Sequence, residues 1–300
     1  FALTAVILLV ELAGAILSHS LALLSDAGHV FTDIFALGLA WFATFQAERP
    51  ADATRTYGYH RTGILAALIN AAALILIVLA IAYEALRRFQ HPQEVTPWLM
   101  FVAASVGIVV NLYIGFSLRQ EGNENINVRA ARLHVFGDVG ASAGVVVGGL
   151  VILLTHWYQA DPLISLFIAA LIAKGAWDIV RETFDILMES TPRNLNVAQL
   201  VRDMVREPGI QDVHDLHVWS LAGGMCCLTA HIQVEDGLLS ERDRLLGRLD
   251  SMLRERYRIG HTTIQLECAG CESNHLYCEM KQMEAHSHRH DHKVRLGTGG

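Results

Sequence analysis

Charge is what this chain has least of. Only 18% of its 300 residues are charged, against about 25% in an ordinary soluble domain. With 52% hydrophobic residues and a mean hydropathy of +0.34 the chain falls outside the soluble range. A basic excess is missing too: the formal net charge of −7 gives no support to nucleic-acid binding. Cysteine does not occur before Cys226, and Cys226, Cys227, Cys268, Cys271 and Cys278 all lie in the later part of the chain. An odd count that includes a C-x-x-C pair speaks for reduced thiols or a metal site, not a disulfide scaffold. No basic segment precedes the first apolar run and Glu11 interrupts it, so residues 1–18 are expected to be a membrane helix and not a cleaved signal.

The shortage of charge is confined to the first 181 residues or so. Six apolar segments are expected there, near 1–18, 21–46, 62–86, 97–118, 128–155 and 161–181; crossing ~30 Å of hydrocarbon takes about 20 residues each. His19–Ser20 is the whole link between the first two, which demands a tight helical hairpin. Arg49, Arg55 and Arg61 in the 2–3 loop and Arg119, Arg129 and Arg132 in the 4–5 link face only Arg87 and Arg88 on the other side. That asymmetry predicts that these loops, and with them both termini, are cytoplasmic. The small residues Gly137, Gly140, Ala141, Ala143, Gly144, Gly148 and Gly149 in the fifth segment are expected to let it approach the second closely.

From about residue 182 the pattern becomes that of a soluble domain running to 278. Asn196–Arg206 reads as an amphipathic helix capped by Asn194 or Asn196, Val213–Leu221 and Met225–Val234 as strands, Ser240 as the cap of a helix to about Tyr257, and His261–Glu267 as a third strand. The order α-β-β-α-β suits helices on one face of a small sheet. Residues 279–300, which include His286, His288, His290 and His292, read as a polar, disordered tail.

Ionisable groups inside apolar segments are costly and mark ion or proton pathways. The stretch SLALLSDAGHVFTD (20–33) places His29 and Asp33 four residues apart on one helix face, and HVFGD (134–138) repeats the pair as His134 and Asp138. Two imidazoles and two carboxylates form a ready four-coordinate site for a borderline divalent metal, zinc first. The alternative is two structural His–Asp hydrogen bonds, which the repetition of the pair in two segments argues against. Asp26 is read as lying at the interface near its helix start, with proton relay or ion entry as the alternative. Glu11, Asn70, Asn111, Lys174 and Asp178 are read as helix–helix hydrogen bonds, a Lys–Asp pair or interfacial groups. A membrane metalloenzyme or a membrane-anchored metal sensor could use the same ligands, but neither pair has a nucleophile or a second acid beside it.

SLALLSDAGHVFTD, YGYHRTGILAALINA (57–71), LHVFGD (133–138) and VHDLHVWSL (213–221) together resemble the cation diffusion facilitator family in its zinc-transporting branch. The resemblance spans nearly the whole chain. It implies an all-α six-helix transmembrane bundle plus a C-terminal α+β ferredoxin-like cytosolic domain, a homodimer in the bacterial cytoplasmic membrane, and proton-coupled export of Zn2+, with Cd2+ or Co2+ as further cargo. The transport site it implies is His29, Asp33, His134 and Asp138. It also implies cytosolic zinc ligands at His214, His231, His261 and Glu267. By strand alternation His214 and His217 point to opposite faces and cannot share one ion. Cys268 and Cys271 could complete a zinc site or be a bare exposed pair. Departures from the family pattern are the lone His60 in the 2–3 loop and Gly63 where an acid is common.

Overall fold

The computed structural model describes residues 2–120, 126–268 and 276. Two compact units emerge: residues 1–193 with 219–226, and residues 194–218 with the described residues from 227 on.

The first unit is a bundle of helices: α1 (Ala2–Ser18), α2 (Leu21–Ala47), α3 (Thr62–Gln90), α4 (Pro97–Gln120), α5 (Ile126–Thr155) and α6 (Ala160–Leu187). Five of them are long and apolar enough to cross a membrane, while α1 has 17 residues. The last helix continues to Leu187, past the 181 expected, because nothing in RETFDIL breaks it. Leu23, Met100, Val145, Ile152 and Ile168 form the buried centre, interleaved with alanines that keep the helices close. Gly14 marks a close approach, since a side chain there would run into Ala103 of α4 and Leu23 of α2. Leu9, Trp41, Leu76, Leu154 and Phe167 face outward, an apolar belt that suits lipid and not water.

The α1–α2 hairpin turns where expected, with His19 at φ +57° and Ser20 as the cap of α2. Ser20 Oγ accepts from Leu23 N (3.1 Å) and donates to Asp161 Oδ1 (2.6 Å). Asp161, fully buried at the start of α6, also accepts from Leu21 N (2.7 Å) and Ala22 N (3.1 Å). Thus the first three amides of α2, which have no partner within their own helix, are closed by one serine and one carboxylate from another helix. Arg88 of α3 adds its charge, 3.9 Å from Asp161 Oδ2, and donates to His19 O.

The glycines of α5 do not do what the sequence suggested. A side chain at Gly148 would run into Ile164 of α6, and Gly149 lies against Pro97 O and Met100 of α4, whereas Gly137, Gly140 and Gly144 have nothing within 4 Å. Helix α5 packs mainly on α4 and only locally on α2.

The C-terminal region from residue 194 follows the expected order: α7 (Val197–Val205), β1 (Ile210–Ala222), β2 (Met225–Val234), α8 (Leu239–Tyr257) and β3 (Ile259–Glu267), with sheet order β1-β2-β3. Asn196 caps α7, accepting from Gln199 N at 3.0 Å. Ser240 does not cap α8; Leu238 holds that position without a side-chain bond. Leu200, Met204, Leu216, Leu228, Ile232, Leu249 and Ile259 are buried in its core. Asp203 of α7 ties the two helices, accepting from Tyr257 OH (2.7 Å) and Arg256 Nη1 (3.0 Å). That tyrosine hydrogen bond holds the Asp203 carboxyl below the usual range, with Arg256 adding to the effect.

Candidate metal centres

One helical turn separates His29 from Asp33 on α2, and another separates His134 from Asp138 on α5, so each pair projects from a single face. Where the two helices meet, the pairs interleave. Asp33 Oδ2 lies 3.3 Å from His134 Nε2 and 3.9 Å from His29 Nε2. Asp138 lies 3.5 Å from His29 Nε2 through Oδ1 and 4.0 Å from His134 Nε2 through Oδ2. The two rings meet edge to face with centroids 5.7 Å apart. One donor atom from each of the four lies within 4.8 Å of all the others. Donors about 2.0 Å from a tetrahedral zinc sit about 3.3 Å from one another, so the cross-helix distances need only a small contraction. Each carboxylate contacts both imidazoles, which two separate His–Asp bonds within single helices would not require. Asp138 is buried and His134 half exposed, leaving one side of the cluster open.

What brings α5 to α2 is a hydrogen bond that the sequence reading did not foresee. Asp26 is 1% exposed, buried within the bundle, and accepts from Ser142 Oγ at 2.8 Å. Asp26 precedes His29 by three residues and Ser142 follows Asp138 by four, so this bond sits about one turn along from the donors and sets the register of the two helices. A serine in an apolar helix four residues beyond the second pair was the available signal. Glu11 departs from expectation in the other direction: it is fully buried, and among the described residues neither carboxyl oxygen has a hydrogen-bond partner. Lys174 and Asp178 do pair, at 3.2 Å on an exposed face.

In the second unit, His214 Nε2 lies 3.3 Å and His231 Nδ1 3.0 Å from the Glu267 carboxylate, and the two rings meet edge to face at 5.6 Å. These three form a second cluster with donors within 4.8 Å. Asp215 sits at φ +48°, and the burial of β1 breaks its alternation at Val213–His214, as in a β-bulge. The bulge brings Asp215 Oδ2 to 3.7 Å from His231 Nε2, while His217 turns to Asp215 Oδ1 at 3.2 Å. Asp212 approaches His214 Nδ1 at 3.8 Å. Neither aspartate was anticipated. His261 is not in this group: six residues from Glu267 along an extended strand is about 20 Å, and the residue is exposed. Cys268 is exposed and contacts the Arg242 guanidinium; Cys271 and the histidine tail lie outside the described residues.

Known proteins match this chain over most of its length. The family profile described as the cation efflux transmembrane domain matches residues 1–188, and that of the cation efflux protein, cytoplasmic domain, matches 192–269. The "Cadmium, cobalt and zinc/H(+)-K(+) antiporter" of Bacillus subtilis is 39% identical over 287 residues, 94% of this chain and 92% of that protein. The "Zinc transporter ZitB" of Escherichia coli is 39% identical over 294 residues, 97% of this chain and 92% of the relative. Among solved structures, the "Metal-bound C-terminal domain of the CzcD transporter from Cuprividus metallidurans" is 33% identical, covering 24% of this chain and 99% of that one at a TM-score of 0.23. In both its multi-pass membrane part and its C-terminal part, this chain belongs to the cation efflux family, the cation diffusion facilitators.

Proposed function

We propose that the chain exports Zn2+ from the cytoplasm in exchange for protons, with His29, Asp33, His134 and Asp138 as the transport ligands. The observation that carries this reading is the interleaving of two imidazoles and two carboxylates from α2 and α5 within 4.8 Å. Nitrogen donors favour zinc over magnesium and calcium, which take oxygen, and the carboxylates offset the charge of the ion. Both relatives named above are metal transporters by name, one of them a proton-linked antiporter. As a family member the chain is a transporter and not an enzyme, which removes the metalloenzyme reading.

Zinc binding requires neutral imidazoles and ionised carboxylates, so zinc and protons compete for the same atoms. Rocking of the bundle then opens the site to one side for loading and to the other for release by protons. The arginine-rich 2–3 and 4–5 loops support cytoplasmic termini, and membership of the family supports the bacterial cytoplasmic membrane. His214, His231 and Glu267 form a second zinc site on the cytosolic side, with Asp215 beside it, and the cytoplasmic domain pairs two copies into a homodimer.

Proteoliposomes carrying a zinc dye and a pH dye test the reading. Coupled, opposite fluxes of zinc and protons are expected, abolished in Asp33→Ala and His134→Ala. A metal sensor moves neither ion, and undiminished zinc flux in either variant would overturn the site assignment.

A further inference from the structure

Among the described residues, three buried oxygens near the transport ligands have no hydrogen-bond partner: Oε1 and Oε2 of Glu11 and Oγ of Ser25. Glu11 is the one ionisable residue of α1 and is completely buried between helices. A side chain at Gly107 of α4 would strike Glu11 Oε1 and lie 3.4 Å from Ser142 Oγ, so the glycine leaves the space that the carboxyl fills. Ser142 in turn donates to Asp26. Glu11, Asp26 and Ser142 therefore form a polar pocket among α1, α2, α4 and α5, one turn from the metal ligands. The charged groups acting on Glu11 are Asp26 of α2 and Asp138 of α5, and Asp26 further senses His29 and Asp33. The membrane part of α4 contributes no Asp, Glu, His, Lys or Arg.

A carboxylate buried without a donor is among the costliest groups in a protein, and such a group sheds its charge by holding a proton. Mere packing does not call for a carboxyl here, since an apolar side chain of the same shape would carry no such cost. We infer that Glu11 is a proton carrier of the exchange cycle: it holds a proton while the metal site is empty and loses it when zinc arrives. The inference rests on the transport site proposed above. With Zn2+ among the ligands, the added positive charge favours the carboxylate; the O–H bond of Glu11 breaks and its proton leaves to water on the side then open. When zinc departs, Glu11 takes one proton from the opposite side. Asp26, fixed by Ser142, stands between Glu11 and the metal ligands and couples the two charges.

Titration calorimetry of the full-length protein with zinc, in buffers of different ionisation enthalpy and over a pH series, counts the protons released per zinc. Glu11→Gln keeps the shape and removes the titrating group. The expected result is zinc binding retained, with the count lower by about one proton per zinc. Glu11→Asp withdraws the carboxyl by one methylene and is expected to keep the wild-type count with a displaced pH profile. A wild-type count and profile in Glu11→Gln overturns the inference; so does an unchanged profile in Glu11→Asp should the glutamine variant fail to fold. Asp33→Ala, run alongside, separates the two claims: its loss of zinc flux with an unaltered Glu11→Gln count leaves the transport site standing and removes only the proton carrier.

Discussion

The position most exposed to test by substitution is Asp161, buried at the start of α6. Its two oxygens receive Leu21 N, Ala22 N and the Ser20 hydroxyl, all out of water. Replacing Asp161 by alanine lets the hydroxyl rotate toward another acceptor but leaves two amides with none, because the first amides of a helix have no carbonyl behind them. At about 1–3 kcal/mol per buried unsatisfied donor, the loss is about 2–6 kcal/mol, with Arg88 left facing an apolar gap. Asp161→Asn keeps one carbonyl acceptor and is expected to cost about half as much. Reversible unfolding of the purified protein in mixed detergent measures both. Because α2 carries half of the metal ligands, zinc transport is expected to fall in the same order as stability. An Asp161→Ala protein within 1 kcal/mol of wild type, on the scale of an ordinary surface substitution, would refute the claim that this carboxylate holds the start of α2.

Other expectations follow from single contacts. Asp203 is held below the usual carboxylate range chiefly by Tyr257, so its contribution to the cytoplasmic domain is present above the ordinary aspartate pKa of about 3.9 and is lost as pH falls through the lowered value. Tyr257→Phe should flatten that acid limb of the stability profile, and an unchanged limb by thermal unfolding would count against it. His231→Ala removes the ring that lies 3.0 Å from Glu267, and the number of zinc ions bound per chain should drop by one while the intramembrane ion remains; metal analysis after dialysis reads this. Gly148→Ala forces a methyl into Ile164, an overpacking of about 1–3 kcal/mol that a melting curve would register.

Much of this architecture is legible in the residues, and the exceptions have physical causes. Apolar run lengths set the ends of α2, α4 and α5 to within a few residues, and the repeated His-x-x-x-Asp spacing brought out all four residues of the intramembrane cluster. Spacing along one helix cannot say which helices touch, however, and the glycines of α5 were misread for that reason: Gly148 and Gly149 meet α6 and α4, and the bond from Ser142 to Asp26 joins α5 to α2. A polar residue in a run of alanines and valines carries no sign of its partner. In the sheet, strict alternation failed at Asp215, a residue of left-handed backbone whose carboxylate lies 3.7 Å from His231 Nε2; no local composition marks such a bulge. His261 was implied by the resemblance alone, and six residues of extended strand carry it about 20 Å from Glu267.

Anomalous diffraction from zinc-soaked crystals of the full-length protein, collected at the zinc edge, addresses the central claim directly. A peak about 2.0–2.2 Å from His29, Asp33, His134 and Asp138 together, lying between α2 and α5, is the expected result. Zinc found only in the cytoplasmic domain, or held by one helix pair with the other two ligands turned away, would contradict it.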